Sequence, residues 1–115
     1  MTTVGVGAVS GVSAEEVLAA IDAVLPAEAG DDVRLATLDV RVTEPGIAAA
    51  AGRRGWSVTA YPAARLAEVA VPSPSDRVAE RVGTPSVAEA AALAGGGTLV
   101  VSKTVVGRVT VAVSA

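Results

Sequence analysis

The segment Thr3 to Ala8 constrains the fold more than any other. It alternates as a β-strand, with Val4, Val6 and Ala8 on one side and Thr3, Gly5 and Gly7 on the other. Two glycines on one face leave bare backbone, so a helix or a ligand covering that face comes closer than side chains normally allow. A helix signature follows at once. Ser13 and Glu16 have the S-x-x-E spacing of a capping box, and Val17, Leu18, Ile21, Val24 and Leu25 recur at helical spacing up to Pro26.

The alternation of strand and helix then continues. Val33 to Val40 reads as a second strand. Thr43 as N-cap and Pro45 in the first turn open a short helix that ends at Gly52-Arg53-Arg54-Gly55. Trp56 to Ala60 is a third strand, and Pro62 to Glu68 holds one or two helical turns. Ser73-Pro74 opens a helix closed by Gly83. Ser86 and Glu89 form a second capping box, for a helix ended by Gly95-Gly96-Gly97. Thr98 to Ser102 and Arg108 to Ser114 are the last two strands, with a turn at Val106-Gly107. The order β-α-β-α-β-α-α-β-β predicts a single α/β domain over residues 1–115. Its architecture is a three-layer αβα sandwich, a mostly parallel sheet of about five strands with a C-terminal hairpin.

Composition decides which chemistry is open to such a domain. The chain has no His and no Cys, which excludes a Ser-His-Asp triad, a thiolate nucleophile and a His- or Cys-built zinc site. No metal and no cofactor are expected. The net charge of -3 argues against nucleic acid, which wants a basic stripe. The start, Met1-Thr2-Thr3-Val4-Gly5, lacks the basic region of a signal peptide, and the uncharged run near the C-terminus is interrupted by glycines. A cytoplasmic protein without a membrane partner is expected.

Four places carry candidate chemistry. In the glycine segment, the backbone N–H groups near Gly5, Gly7 and Gly11 suit a phosphate or carboxylate, or else the glycines serve a tight turn and close helix packing. The spacing G-x-G-x-x-x-G is not that of a dinucleotide site. At the end of the second strand, Thr37, Asp39, Arg41 and Glu44 gather where ligands bind in open α/β sheets. There Asp39 or Glu44 would be a general base and Arg41 a carboxylate clamp. Alternatively, Glu44 favours the positive end of its helix and Arg41 is solvated. Thr84, Ser86 and Glu89 either cap a helix or present its end to an anion. Lys103, placed just after the fourth strand, either holds an anion or protects a sheet edge. Arg53 and Arg54 read as a solvated helix end facing carbonyls.

The run Gly83-Thr84-Pro85-Ser86-Val87-Ala88-Glu89-Ala90-Ala91-Ala92-Leu93, then Leu99-Val100-Val101-Ser102-Lys103 and Thr110-Val111-Ala112-Val113, resembles the CobE / CbiG C-terminal family of cobalamin biosynthesis. The segments from Gly5 to Gly11, from Ala36 through Gly46, and Val71-Pro72-Ser73 fall in the order the family has them. The resemblance implies a small α/β domain that acts on or binds a precorrin or cobalt-precorrin. In CbiG such a domain follows further sequence, and the whole protein hydrolyses a ring lactone of the cobalt-precorrin-5A type. In CobE it stands alone, and this chain has CobE's length. Implied partners are the corrinoid intermediate, other cobalamin-biosynthesis enzymes and a CbiG N-terminal-like subunit. The chain departs from the family in having Ala8, Val9 and Ser10 where cysteine and basic residues are common, and Arg41 where lysine is common.

A hydrolase would draw its base from Glu44 or Glu89, and its oxyanion donors from the glycine loop or Lys103. Gly5, Gly7, Gly11, Thr37, Arg41, Thr84, Ser86 and Lys103 are then the substrate-binding candidates. A non-catalytic carrier or accessory subunit, and a nucleotide-binding module with Asp39 on the ribose, are the alternatives. With only hard oxygen ligands and one Met available, elemental analysis of the purified protein is expected to find no stoichiometric zinc or cobalt outside a bound corrinoid.

Overall fold

A computed structural model of the chain describes residues 2–8, 11–29, 32–39, 44–69 and 87–115. Strand β1 spans Thr2–Ala8 and helix α1 Ala14–Val24, with a 3-10 turn at Ala27–Ala29. Strand β2 (Val33–Leu38), helix α2 (Pro45–Arg54), strand β3 (Ser57–Tyr61) and helix α3 (Ala63–Ala67) follow. Helix α4 (Val87–Ala94) leads to the hairpin of β4 (Leu99–Val106) and β5 (Val109–Ser114).

The strands lie in the order β3-β2-β1-β5-β4. β1 pairs in parallel with β2, and β2 with β3, whereas β5 runs antiparallel to both β1 and β4. The sheet is therefore mixed. β1, β2, β3 and β4 share one direction, and β5, turned back by the hairpin, is inserted between β1 and β4. The backbone of Thr98 and Ala115 exchanges two further hydrogen bonds that close the far end of this hairpin.

The two faces of the sheet are unlike. On one face Val4, Val6, Leu35, Val111 and Val113 pack against Val17, Ile21, Ile47 and Ala50 of α1 and α2. Fully buried Ile21 and Ile47 each contribute about 1.5–3 kcal/mol by leaving water. On the other face Ala36 and Leu38 meet Leu66 of α3 and Ala90, Ala91 and Ala94 of α4, while Ala112 meets Ala88 and Ala92. Alanines remove little area from water, so α4 gains mainly by close approach and dispersion. Gly5 permits that approach: a Cβ there would overlap the Ala88 carbonyl oxygen and lie 2.7 Å from Ala92 N. Gly46 does the same for α2, where a Cβ would overlap the Val12 carbonyl.

Several boundaries differ from the sequence pattern, each for a physical reason. β4 continues to Val106 instead of ending at Ser102, because register shifts between Leu99 and Val101 and between Val101 and Thr104 break the period-2 alternation. Lys103 is therefore within β4, not after it. The turn is Gly107-Arg108, with Gly107 in the left-handed region (φ 61°). The N-cap of α2 is Glu44, not Thr43, since Pro45 occupies its first turn and the Glu44 carbonyl accepts from Ile47 and Ala48 N–H. Arg53 and Arg54 do not face carbonyls. They reach α1, at 3.0 Å from Glu15 and 2.8 Å from Asp22, and Arg54 also lies over the Trp56 ring. The Ser73-Pro74 helix and the serine of the second capping box lie outside the described residues. No described helix is long and apolar enough to cross a membrane.

The glycines of β1 make a contrast that tests this packing. Gly5→Ala is expected to destabilise the fold by about 3 kcal/mol, because backbone atoms of α4 must retreat. Gly7→Ala, whose Cβ would sit 3.8 Å from Val87, is expected to melt within about 1 kcal/mol of wild type. Denaturant titration of the two variants measures both values.

Candidate functional site

The C-terminal ends of β1, β2, β3 and β4 lie along one edge of the sheet. Helices α1 and α2 cover one face and α3 and α4 the other. The gap above β1 lies between these two layers, at the C-terminal edge where open α/β sheets take their ligands. Two features flank it. One is the loop after β1, which includes Gly11; the other is the first turn of α4, whose Val87 lies beside Gly7.

Gly11, in the left-handed region at φ 87°, is held from both sides. Its N–H donates to Glu44 Oε1 at 2.9 Å, and its carbonyl accepts from Arg108 Nη2 at 3.4 Å. Glu44 makes no side-chain cap on α2 and reaches across to this loop instead. Arg108 forks onto Glu16, with Nε 3.0 Å from Oε1 and Nη2 2.7 Å from Oε2. Glu16 in turn closes the expected capping box with Ser13: Ser13 N–H donates to its carboxylate at 2.7 Å, and Glu16 N–H donates to Ser13 Oγ at 3.1 Å. One carboxylate thereby starts α1 and anchors the β4–β5 turn.

The remaining candidates separate by burial. Thr37 is fully buried and its hydroxyl donates to the Val6 carbonyl at 2.8 Å, tying β2 to β1. The bare backbone of Gly5 is filled by α4 and leaves no space for a ligand there. Glu89 is fully buried in the first turn of α4, and its Oε2 accepts the backbone N–H of Lys103 at 2.8 Å. Asp39 is exposed directly after β2. Arg41, Thr84 and Ser86 lie outside the described residues. The structure thus brings Gly11 and Glu44 together at the edge, and Glu89 and Lys103 together between α4 and β4.

Arg108 is the edge residue that the sequence pattern does not single out. It appears there as one polar position in an alternating strand. Only the antiparallel pairing of Ala8 with Val109 brings it to the end of β1. Among the described residues, no three His, Cys, Asp or Glu side chains are arranged to hold a metal ion. A cleft of about 190 Å³ sits at the opposite, N-terminal edge, where the described residues lining it, Thr2, Pro26, Ala29, Val100, Val113 and Ala115, bring no charged side chain.

The Arg108 guanidinium, followed by the Ser13 N–H, holds the Glu16 carboxyl down to about 2, from an ordinary 4.5. A depressed carboxyl stabilises the fold fully above its unfolded pKa and loses that contribution as pH falls toward about 2. The pair is exposed, so salt screens it. Carboxyl NMR titration is expected to place the Glu16 midpoint near about 2 in wild type and markedly higher in Arg108→Ala.

The model of the cobalamin synthesis G C-terminus family matches residues 2–114. CobE, a protein from the cobalamin (vitamin B12) biosynthetic pathway, is a structural neighbour with a TM-score of 0.86 and 32% sequence identity, covering 99% of this chain and 92% of that one. The cobalamin biosynthesis protein chiG from Agrobacterium tumefaciens str. C58 aligns with a TM-score of 0.71 and 36% identity, covering 99% of this chain and 97% of that one. No curated protein sequence matches. With its glycine-bearing β1, its alanine helix α4 and its terminal hairpin matched from end to end, the chain belongs to the family of the cobalamin synthesis protein G C-terminus.

Proposed function

We propose that this chain binds a corrin-ring intermediate of cobalamin synthesis, a precorrin or cobalt-precorrin, above the C-terminal end of β1. The observation that carries the reading is the Gly11 amide: presented at the C-terminal edge of the sheet, it already holds a carboxylate, that of Glu44. Corrin intermediates carry several acetate and propionate carboxylates, the same chemistry. A loop N–H that takes an internal carboxylate suits an external one. Arg41, from the segment after β2, and Lys103 of β4 supply the positive charge in this reading, and Thr84 and Ser86 supply polar contacts before α4. The match to the family over residues 2–114 supports the substrate class.

The finer reading is hydrolysis of a ring lactone. Glu44, at the edge, takes a proton from water as the water oxygen bonds to the lactone carbonyl carbon. The ring C–O bond then breaks, and the departing oxygen recovers a proton. Glu44 fits this role better than Glu89, because Glu89 is sealed from solvent while Glu44 is half-buried at the loop. In the carrier reading the same edge holds the intermediate without turnover, for a further cobalamin-biosynthesis enzyme or a separate CbiG N-terminal-like subunit in the cytoplasm.

Titration with cobyrinic acid, a corrin bearing these carboxylates, tests the binding site. Wild type is expected to bind, and Arg41→Ala to lose about 1.5–3 kcal/mol of binding through one charge-assisted contact. An unchanged Arg41→Ala titration places the site elsewhere. With a lactone-bearing cobalt-precorrin, Glu44→Gln is expected to turn over about 100-fold more slowly or worse. A wild type that binds without turnover establishes the carrier.

A further inference from the structure

Glu89 is the one charged residue of α4, and it is fully buried in a helix otherwise made of alanine, valine and leucine. Burying a carboxylate is unfavourable unless hydrogen bonds compensate it, so its place in an alanine face demands a task. One contact it makes points to that task. Its Oε2 accepts the N–H of Lys103, at 2.8 Å, where the β4 ladder loses register between Val101 and Thr104. A bulge turns a backbone N–H away from the neighbouring strand and re-aims the side chains beside it. Here the carboxylate captures the N–H of the bulge.

We infer that Glu89 is a positioning residue: it locks the β4 bulge to the first turn of α4 and so sets the direction in which Lys103 leaves the strand toward a corrinoid carboxylate. This rests on the corrinoid-binding reading above. The role is distinct from catalysis, since Glu89 is sealed from solvent and touches the backbone of the residue it directs. It also gives α4 a second fixed point. Gly5 sets how closely the helix approaches the sheet, and Glu89 ties its N-terminal turn to β4 on the far side of β5.

A double-mutant cycle on cobyrinic acid binding tests this. Lys103→Ala is expected to weaken binding about tenfold or more. Glu89→Met keeps the volume and removes the acceptor, and should weaken binding by a similar factor. The double variant should be no weaker than the poorer single one, because both changes remove one contact. Glu89→Gln offers an amide oxygen to the same N–H and should restore binding. Should Glu89→Met not fold, Glu89→Asp, which keeps charge but loses reach, takes its place in the cycle.

Losses that multiply independently overturn the inference. So does a folded Glu89→Gln that binds as poorly as Glu89→Met, since the charge itself would then act. A wild type that binds beside an unaffected Lys103→Ala removes the positioning role alone. A wild type that binds no cobyrinic acid removes the corrinoid reading and the positioning role with it.

Discussion

The contact on which the molecule depends is backbone against backbone, α4 lying on Gly5 of β1. A side chain at that position would meet the Ala88 carbonyl and the Ala92 amide nitrogen. Everything on that face is scaled to it. Ala36 and Ala112 flank Gly5 in the neighbouring strands, and the helix presents Ala88 and Ala92 to Ala112, and Ala90, Ala91 and Ala94 to the side of Ala36. The Ser114 hydroxyl adds a hydrogen bond to the Ala92 carbonyl. The other face is built in the ordinary way, from valine, leucine and isoleucine. The asymmetry gives a thin molecule, 21 Å along its shortest axis, in which one helix is positioned by sterics more than by area.

That placement bears on the C-terminal edge of the sheet. With α4 pressed onto β1, its first turn lies beside Gly7, and Gly11 lies on the side of α1 and α2. There it is gripped by charge. Glu44 holds the Gly11 N–H, Arg108 its carbonyl, and Glu16 holds Arg108. Each of these exposed contacts is individually worth little in water. Together they tie α1, α2 and the β4–β5 turn to one loop, so a ligand carboxylate arriving at Gly11 would be exchanged against one already present.

How far the sequence foretells this depends on the range of the interaction. The Ser13/Glu16 box is local and its spacing predicts it. The glycines of β1 predict a close approach by something, and the packing shows that it is a helix. Strand β4 is partly hidden, because its two register shifts make Lys103, Thr104 and Val105 look like loop. Glu89 is legible as a helix-start acid, but its bond to Lys103 depends on how α4 lies over the hairpin. Arg108 is hidden altogether, since its partner Glu16 is 92 positions away and only the insertion of β5 beside β1 brings them together. For Arg53 and Arg54 the charge is legible and the partners on α1 are not.

The same geometry bears on the nucleotide-binding alternative. In a dinucleotide site the glycines between the first strand and helix serve that helix: they turn the chain, admit the pyrophosphate and let the following helix pack. Here Gly5 serves α4, which comes far later in the chain and lies on the opposite face from α1. Gly46, also needed for close packing, belongs to α2. Gly11 is the one glycine of the segment beside α1, and its N–H is occupied by Glu44. A pyrophosphate would have to displace a carboxylate and then bring its own charge against Glu16 and Glu44, with Arg108 already committed to Glu16. The charge distribution around Gly11 therefore disfavours a compact diphosphate.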